Sequence, residues 1–318
     1  MTSFRICATG WGKVADAARS NPGTKSALWD KDGRTLYVTL RRSMQMKVDM
    51  PRWSEGVQED IKSIWTEIQT LCFNSADEFS ADVLTDSHYA TTGIFDQAEN
   101  AAYLAPFQDA LLQKLVRCNK GGKIVSPRRG LNKANAFLKD AEACRKSLLA
   151  AFIHSCDEPP ENHQLFRMLY RQADGETNRW HRNLRRYQGT FLLGNPRANA
   201  SSDPKSLDEL AKYWPLQPEL SWAFAYMFGV VRPVENRLIS HFSSLPEEYE
   251  TFMFVKALSL TGTSPRKNWL YGVRNGDMDL ILKRSHINAS FALVKAVHEA
   301  IRDKIAPDDG KSKISRLF

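Results

Sequence analysis

His154 and Cys156, followed closely by Asp157, Glu158 and His163, are the nearest this sequence comes to a metal-binding cluster. Structural zinc needs four ligands, usually from two tight pairs. Here there is one loose group, divided by Pro159 and Pro160, and a helix end carrying ordinary polar residues is the simpler reading. Gly23-Thr24-Lys25-Ser26 superficially matches a phosphate loop, but the leading glycine and an adjacent Gly-Lys pair are missing, so the backbone cradle cannot form. No Ser or Cys stands in a nucleophile elbow, and no His has the flanking pattern of a general base. His298, four residues before Arg302 on the last helical segment, reads as a surface residue. These residues call for no cofactor and no metal, and they define no catalytic set.

What the chain does carry in quantity is charge, and the charge is segregated. The whole chain of 318 residues has 44 Lys+Arg against 36 Asp+Glu, a net of +8. Residues 55–113 hold eleven acidic groups and only Lys62 on the basic side, a net of −10. Residues 114–147 then hold ten basic groups against Asp140 and Glu142, a net of +8. A second basic block, residues 167–197, has seven arginines and no lysine, opposed by Asp174 and Glu176. A guanidinium fork matches phosphate oxygens bidentately and stacks on bases, so arginines interleaved with Trp180, His181 and Tyr187 suit nucleic acid. The candidate contacts are Arg128, Arg129, Lys133, Arg179, Arg182, Arg185, Arg186 and Arg197. The competing reading has the same arginines pairing with the acidic 55–113 segment, or simply solvated.

The elements that must position these groups read as mainly α with small β-hairpins. A turn at Asp30–Gly33 leads into a strand over 35–41, and Trp29-Asp30 ends the strand before it. Val57, Ile61, Ile64, Trp65, Ile68 and Leu71 recur at helical spacing behind Ser54, a plausible N-cap. Residues 76–96 read as irregular or briefly helical, and 100–118 and 131–154 as helices. A strand is expected over 186–193, and a helical turn opens at 205–208 and ends at Pro215. The apolar run 220–231 reads as a buried helix stopped by Arg232-Pro233, and another helix runs from Leu245 to Gly262. Residues 278–284 and 289–305 close the fold.

The expected organisation is an N-terminal strand-plus-helix domain (1–118), a basic linker (119–130), a helical C-terminal domain (131–306) with a hairpin near 180–193, and a basic tail (307–318). The apolar run has 12 residues, short of the roughly 20 that cross a bilayer. Five scattered Cys and the lack of a secretory leader point to an intracellular protein with no membrane partner.

The order of features over residues 150–240 carries a resemblance. A helix ends in a Pro-rich turn (158–165), an Arg-rich hairpin follows (178–193), then a loop (194–197), a Pro-punctuated segment (204–215) and a helix ending Val230-Val231-Arg232-Pro233-Val234-Glu235-Asn236. This layout resembles the tyrosine-recombinase-like region of fungal mobile elements of the Crypton type and of related helicase-associated fungal proteins. The resemblance implies a multi-helical DNA-binding fold and a nuclear location, and an active member would transfer DNA strands. The family's catalytic groups do not carry over. Glu161 and Asn162 stand where its first Arg is expected, Arg197 takes the place of its hairpin Lys, and Phe291, Ala292 and Leu293 occupy the place of its second Arg. The last Tyr of the chain, Tyr271, precedes the final helix. The resemblance therefore implies a catalytically degenerate domain that binds DNA rather than cutting it. Two alternatives stand beside it: a nucleocapsid-like binder of single-stranded RNA, and a protein-interaction module whose charge blocks pair internally.

Overall fold

The alternation of the sequence around Val38 is realised as a half-buried strand. Leu36, Val38 and Leu40 point into the core, and their neighbours stay partly exposed. The computed structural model describes residues 26–40, 44–74, 76–86, 93–125, 130–156, 159–160, 162–166, 168–170, 183–195, 212–260 and 275–305. Strands β1 (Ser26–Trp29), β2 (Thr35–Leu40) and β3 (Met44–Asp49) form an antiparallel sheet in sequence order. Asp30 fixes the first turn by accepting from the Arg34 and Thr35 amides at 2.8 and 3.1 Å, and Gly33 supplies the left-handed residue at φ 66°.

Helix α1 (Met50–Leu71) follows β3 without a break. It starts earlier than the Ser54 cap expected from sequence, because the Asp49 side chain accepts from Arg52 N at 3.2 Å and Pro51 is set in the first turn. Its buried stripe is Trp53, Val57, Ile61, Ile64, Ile68 and Leu71. Two short 3-10 turns (Ala81–Val83 and Ile94–Asp96) lead to α2 (Ala98–Leu115). The long helix α3 (Leu131–Ser155) packs along α1, and α4 (Asn162–Leu165) is a single turn.

A second antiparallel sheet is made of β4 (Leu184–Tyr187), β5 (Thr190–Asn195) and β6 (Lys212–Pro215). The single strand expected over 186–193 is thus two. Gln188 and Gly189, at φ 47° and 82°, form the two-residue turn that reverses the chain. Residues 205–211 of the expected helical turn lie outside the described residues, and its end, Lys212–Pro215, is a strand, the ladder running from Leu192↔Pro215 to Asn195↔Lys212.

The centre of the molecule is one unbroken helical column: α5 (Pro218–Tyr226), a π turn (Met227–Val231) and α6 (Arg232–Phe242). Pro233 therefore does not stop the helix as expected. A proline inside a helix leaves the carbonyl four residues back without its donor. Here that carbonyl belongs to Gly229, and Gln108 Nε2 of α2 donates to it at 2.7 Å. The turn just before Pro233 is a π turn, with Arg232 N–H reaching back five residues to the Met227 carbonyl.

After α6, α7 (Glu247–Thr251) is shorter than the helix expected to reach Gly262. Its continuation pairs with another segment instead: Tyr170 N donates to the Thr251 carbonyl at 3.1 Å and Met253 N to the Met168 carbonyl at 2.8 Å. Helices α8 (Asn275–Leu282) and α9 (Phe291–Ile305) close the fold. Among the described residues the main apolar core runs from Leu36 to Ala300 and draws residues from both sides of the 119–130 segment, and a smaller cluster gathers Leu138, Ile239, Tyr249, Val255, Ala257 and Leu258. The chain is mainly α with small β-hairpins, and among the described residues no helix is long and apolar enough to cross a membrane. The tail 307–318 lies outside the described residues.

Candidate nucleic-acid interface

Of the eight basic residues singled out from sequence, Arg128, Arg129, Arg179, Arg182 and Arg197 lie outside the described residues, as do Trp180 and His181. Arg185, Arg186 and Lys133 are described, and they divide sharply. The Arg186 side chain is only 12% exposed. Its Nη1 donates to the Asp82 carbonyl at 2.8 Å and to the Leu84 carbonyl, and its Nη2 lies 3.4 Å from the Asp82 carboxylate. The Arg186 amide donates to Asp86 at 2.9 Å. This arginine ties the second sheet to the acidic segment. Arg185 is half-buried, with its guanidinium 5.6 Å from the Tyr213 ring centre.

Other charges are also used internally. Arg145 donates to Glu235 at 2.5 Å, and Arg232 lies 3.3 Å from the same carboxylate oxygen. All three are buried. Arg232 also donates to the Phe252 carbonyl at 3.2 Å and sits 4.2 Å from the Tyr249 ring centre. Burial, reinforced by the Glu235 charge, pushes the Tyr249 hydroxyl above its ordinary range. Lys146 pairs with Glu142 at 2.7 Å, and Arg237 with Asp109 at 2.7 Å.

Lys133 belongs to a different surface. Residues 117–125 form a tight hairpin in which Cys118 bridges Ile124 and Val125 N donates to the Arg117 carbonyl at 2.9 Å. Asn119 builds the turn, its Oδ1 accepting from the Gly121 and Lys123 amides at 3.1 and 2.9 Å. Gly122, at φ 71°, completes it. Lys114, Arg117, Lys120 and Lys123 are all exposed, and so is Lys133 at the start of α3. The Lys133 ammonium donates to the Lys114 carbonyl and lies 5.1 Å from the Phe73 ring centre. The Lys114 ammonium in turn donates to the Phe73 carbonyl at 3.0 Å. Sequence reasoning counted these lysines as a block but missed Phe73. The available signal was an aromatic placed just past the apolar stripe of α1. A cleft of about 600 Å³ lies behind the hairpin, but its lining mixes Lys123, Arg237 and His241 with Asp96 and Glu250, so it is not a site of one sign.

The second concentration of ionisable groups is internal. Asp60 on α1 accepts from His154 Nδ1 at 3.0 Å and from the His286 amide and ring at 2.7 and 2.8 Å. Burial alone would raise the Asp60 carboxyl; the His154 and His286 hydrogen bonds outweigh it and hold the group below its ordinary range. His154 has a fully buried side chain, out of reach of any substrate, so this arrangement clamps α1, α3 and the turn before α9 together.

Cys156 donates to the Ile153 carbonyl at 3.4 Å rather than joining His154. Asp157 and Glu158, and the side chain of His163, lie outside what is described. Among the described residues no group of three or more His, Cys, Asp or Glu is arranged for a metal. Burial pushes the Cys72 thiol up to about 12 and Cys144 well above its usual value, which leaves neither able to act as a thiolate. His298, expected at the surface, is buried against α3 because its face of α9 carries Val294, Val297 and Ile301 into the core.

No protein-family model matches the chain, and neither the curated proteins nor the solved structures contain a match.

Proposed function

We propose that this protein binds nucleic acid through the surface made by Lys114, Arg117, Lys120, Lys123 and Lys133. The observation that carries the reading is their common exposure at the end of α2, on one short hairpin and at the start of α3; Lys114 and Lys133 donate to backbone carbonyls and meet no carboxylate, while Arg145 and Arg237 pair with carboxylates and Arg186 is largely buried against Asp82 and Leu84. None of the five is in an ion pair among the described residues. Duplex DNA is the first partner to test, as the recombinase-like layout of 150–240 implies, and a degenerate domain that holds DNA without cutting it is that reading in full. Filter binding to a 20-base-pair duplex over a salt series tests it. If all five cations meet phosphates, log K falls against log [salt] with a slope of roughly −4 to −5. A slope near zero overturns the proposal.

A second reading is supported by Arg186. Its bonds to Asp82 and Leu84 favour an interaction module whose charge blocks are partly matched internally. In that case the wild-type chain binds no nucleic acid at physiological salt.

A further inference from the structure

An exposed aromatic ring among lysines is the feature of this surface that phosphate contact alone does not use. Helix α1 ends at Leu71 and is closed by the buried Cys72, after which Phe73 and Asn74 adopt φ 55° and 57°. Left-handed backbone is sterically disfavoured for any residue with a Cβ, and glycine is the usual occupant after a helix. Phe73 nevertheless stands there with 45% of its surface exposed, so its ring contributes little to the core. Of the other exposed aromatics, Trp65 rests edge-on against Trp222 with ring centres 5.1 Å apart, and Tyr187 accepts from its neighbour Gln188 at 3.4 Å. Phe73 instead has the Lys133 ammonium 5.1 Å from its ring centre and the Lys114 ammonium 3.0 Å from its carbonyl. Arg117 follows three residues after Lys114, and Asp77, the next carboxylate along the chain, is engaged by Gln69 at 2.5 Å.

An aromatic platform flanked by cations is how sequence-tolerant recognition of single strands works: bases stack on the ring while the backbone follows the positive groups. A duplex keeps its bases stacked on each other and offers such a ring nothing comparable. Resting on the nucleic-acid reading above, we propose that Phe73 stacks an unpaired base, so that the Lys114–Lys133 surface prefers single-stranded nucleic acid to the duplex.

Fluorescence anisotropy with the full chain, using labelled 20-mers of dT and of rU and a 20-base-pair duplex, tests this. The single strands are expected to bind more tightly than the duplex. Phe73→Ala should weaken single-strand binding by about 5- to 100-fold, with duplex affinity within about twofold and the salt slope unchanged. Phe73→Trp should restore binding, whereas Lys133→Ala should lower the salt slope on every ligand. Phe73→Gly separates function from folding: it relieves the left-handed backbone, so the variant should melt at or above wild type and still bind poorly. Tighter binding of the duplex, or Phe73→Ala within twofold of wild type on single strands, overturns the stacking proposal and leaves phosphate contact standing. Binding of none of the ligands overturns both.

Discussion

His298 gives a sharp test of the packing. It is 7% exposed on α9, hydrogen-bonded to the Ile153 backbone, and its Nε2 has no partner. Burial disfavours the imidazolium, nearby His154 disfavours it further, and the Ile153 bond opposes both only in part. The folded value drops from 6.5 to about 4. As pH falls, the unfolded chain therefore takes its proton near 6.5 while the folded chain resists until about 4. The stability carried by neutral His298 is full above pH 6.5 and is lost progressively between 6.5 and 4. At ~1.4 kcal/mol per unit this amounts to roughly 3 kcal/mol in all, and ~2 kcal/mol by pH 5. Urea unfolding of wild type and His298→Leu at pH 7.5, 6.5, 5.5 and 5.0 measures it, since other titrations cancel in the difference. The variant should gain ~2 kcal/mol on wild type between pH 7.5 and 5. A gap that stays constant across that range would place His298 in water and refute the burial argument.

Glu235→Gln should cost ~3–5 kcal/mol in chemical denaturation, because Arg145 and Arg232 are left buried without a counter-charge; a variant that melts with wild type would show that water reaches the pair. Gln108→Ala removes the donor to the Gly229 carbonyl and should lower stability by ~1–2 kcal/mol, with Gln108→Glu no better. Arg186→Ala should cost ~2–3 kcal/mol in a thermal melt while leaving the nucleic-acid salt slope unchanged. A fall in that slope would return Arg186 to the interface.

The elements with strong periodicity were legible. The spacing of Trp53, Val57, Ile61, Ile64 and Ile68 yields α1, and the alternation at Leu36, Val38 and Leu40 yields β2. What escaped were features decided by a partner distant in sequence. Pro233 reads as a stop because its remedy, Gln108, lies on another helix. His298 reads as a surface residue because Arg302 one turn on is exposed, while the α3 surface that covers it belongs to residues near Ile153. For the candidate site, the basic block 114–147 was visible as composition. Its sorting into exposed Lys114, Arg117, Lys120, Lys123 and Lys133 on one side and buried Arg145 on the other was not. Phe73 was legible only as an aromatic just past the apolar stripe of α1; its exposure beside Lys114 and Lys133 is set by α2 and α3, which lie far along the chain.

The bond between Gln108 and Gly229 also has an evolutionary corollary. It links positions 121 apart in the chain through a need created at a third. In a descendant sequence where position 233 regained an amide, the helix would satisfy the Gly229 carbonyl itself and position 108 would be released to drift. As long as Pro233 stays, losing the amide at 108 strands a carbonyl inside the core. The two positions should therefore change in a fixed order, 233 before 108, and a lineage carrying proline at 233 with an apolar residue at 108 should be rare or compensated nearby.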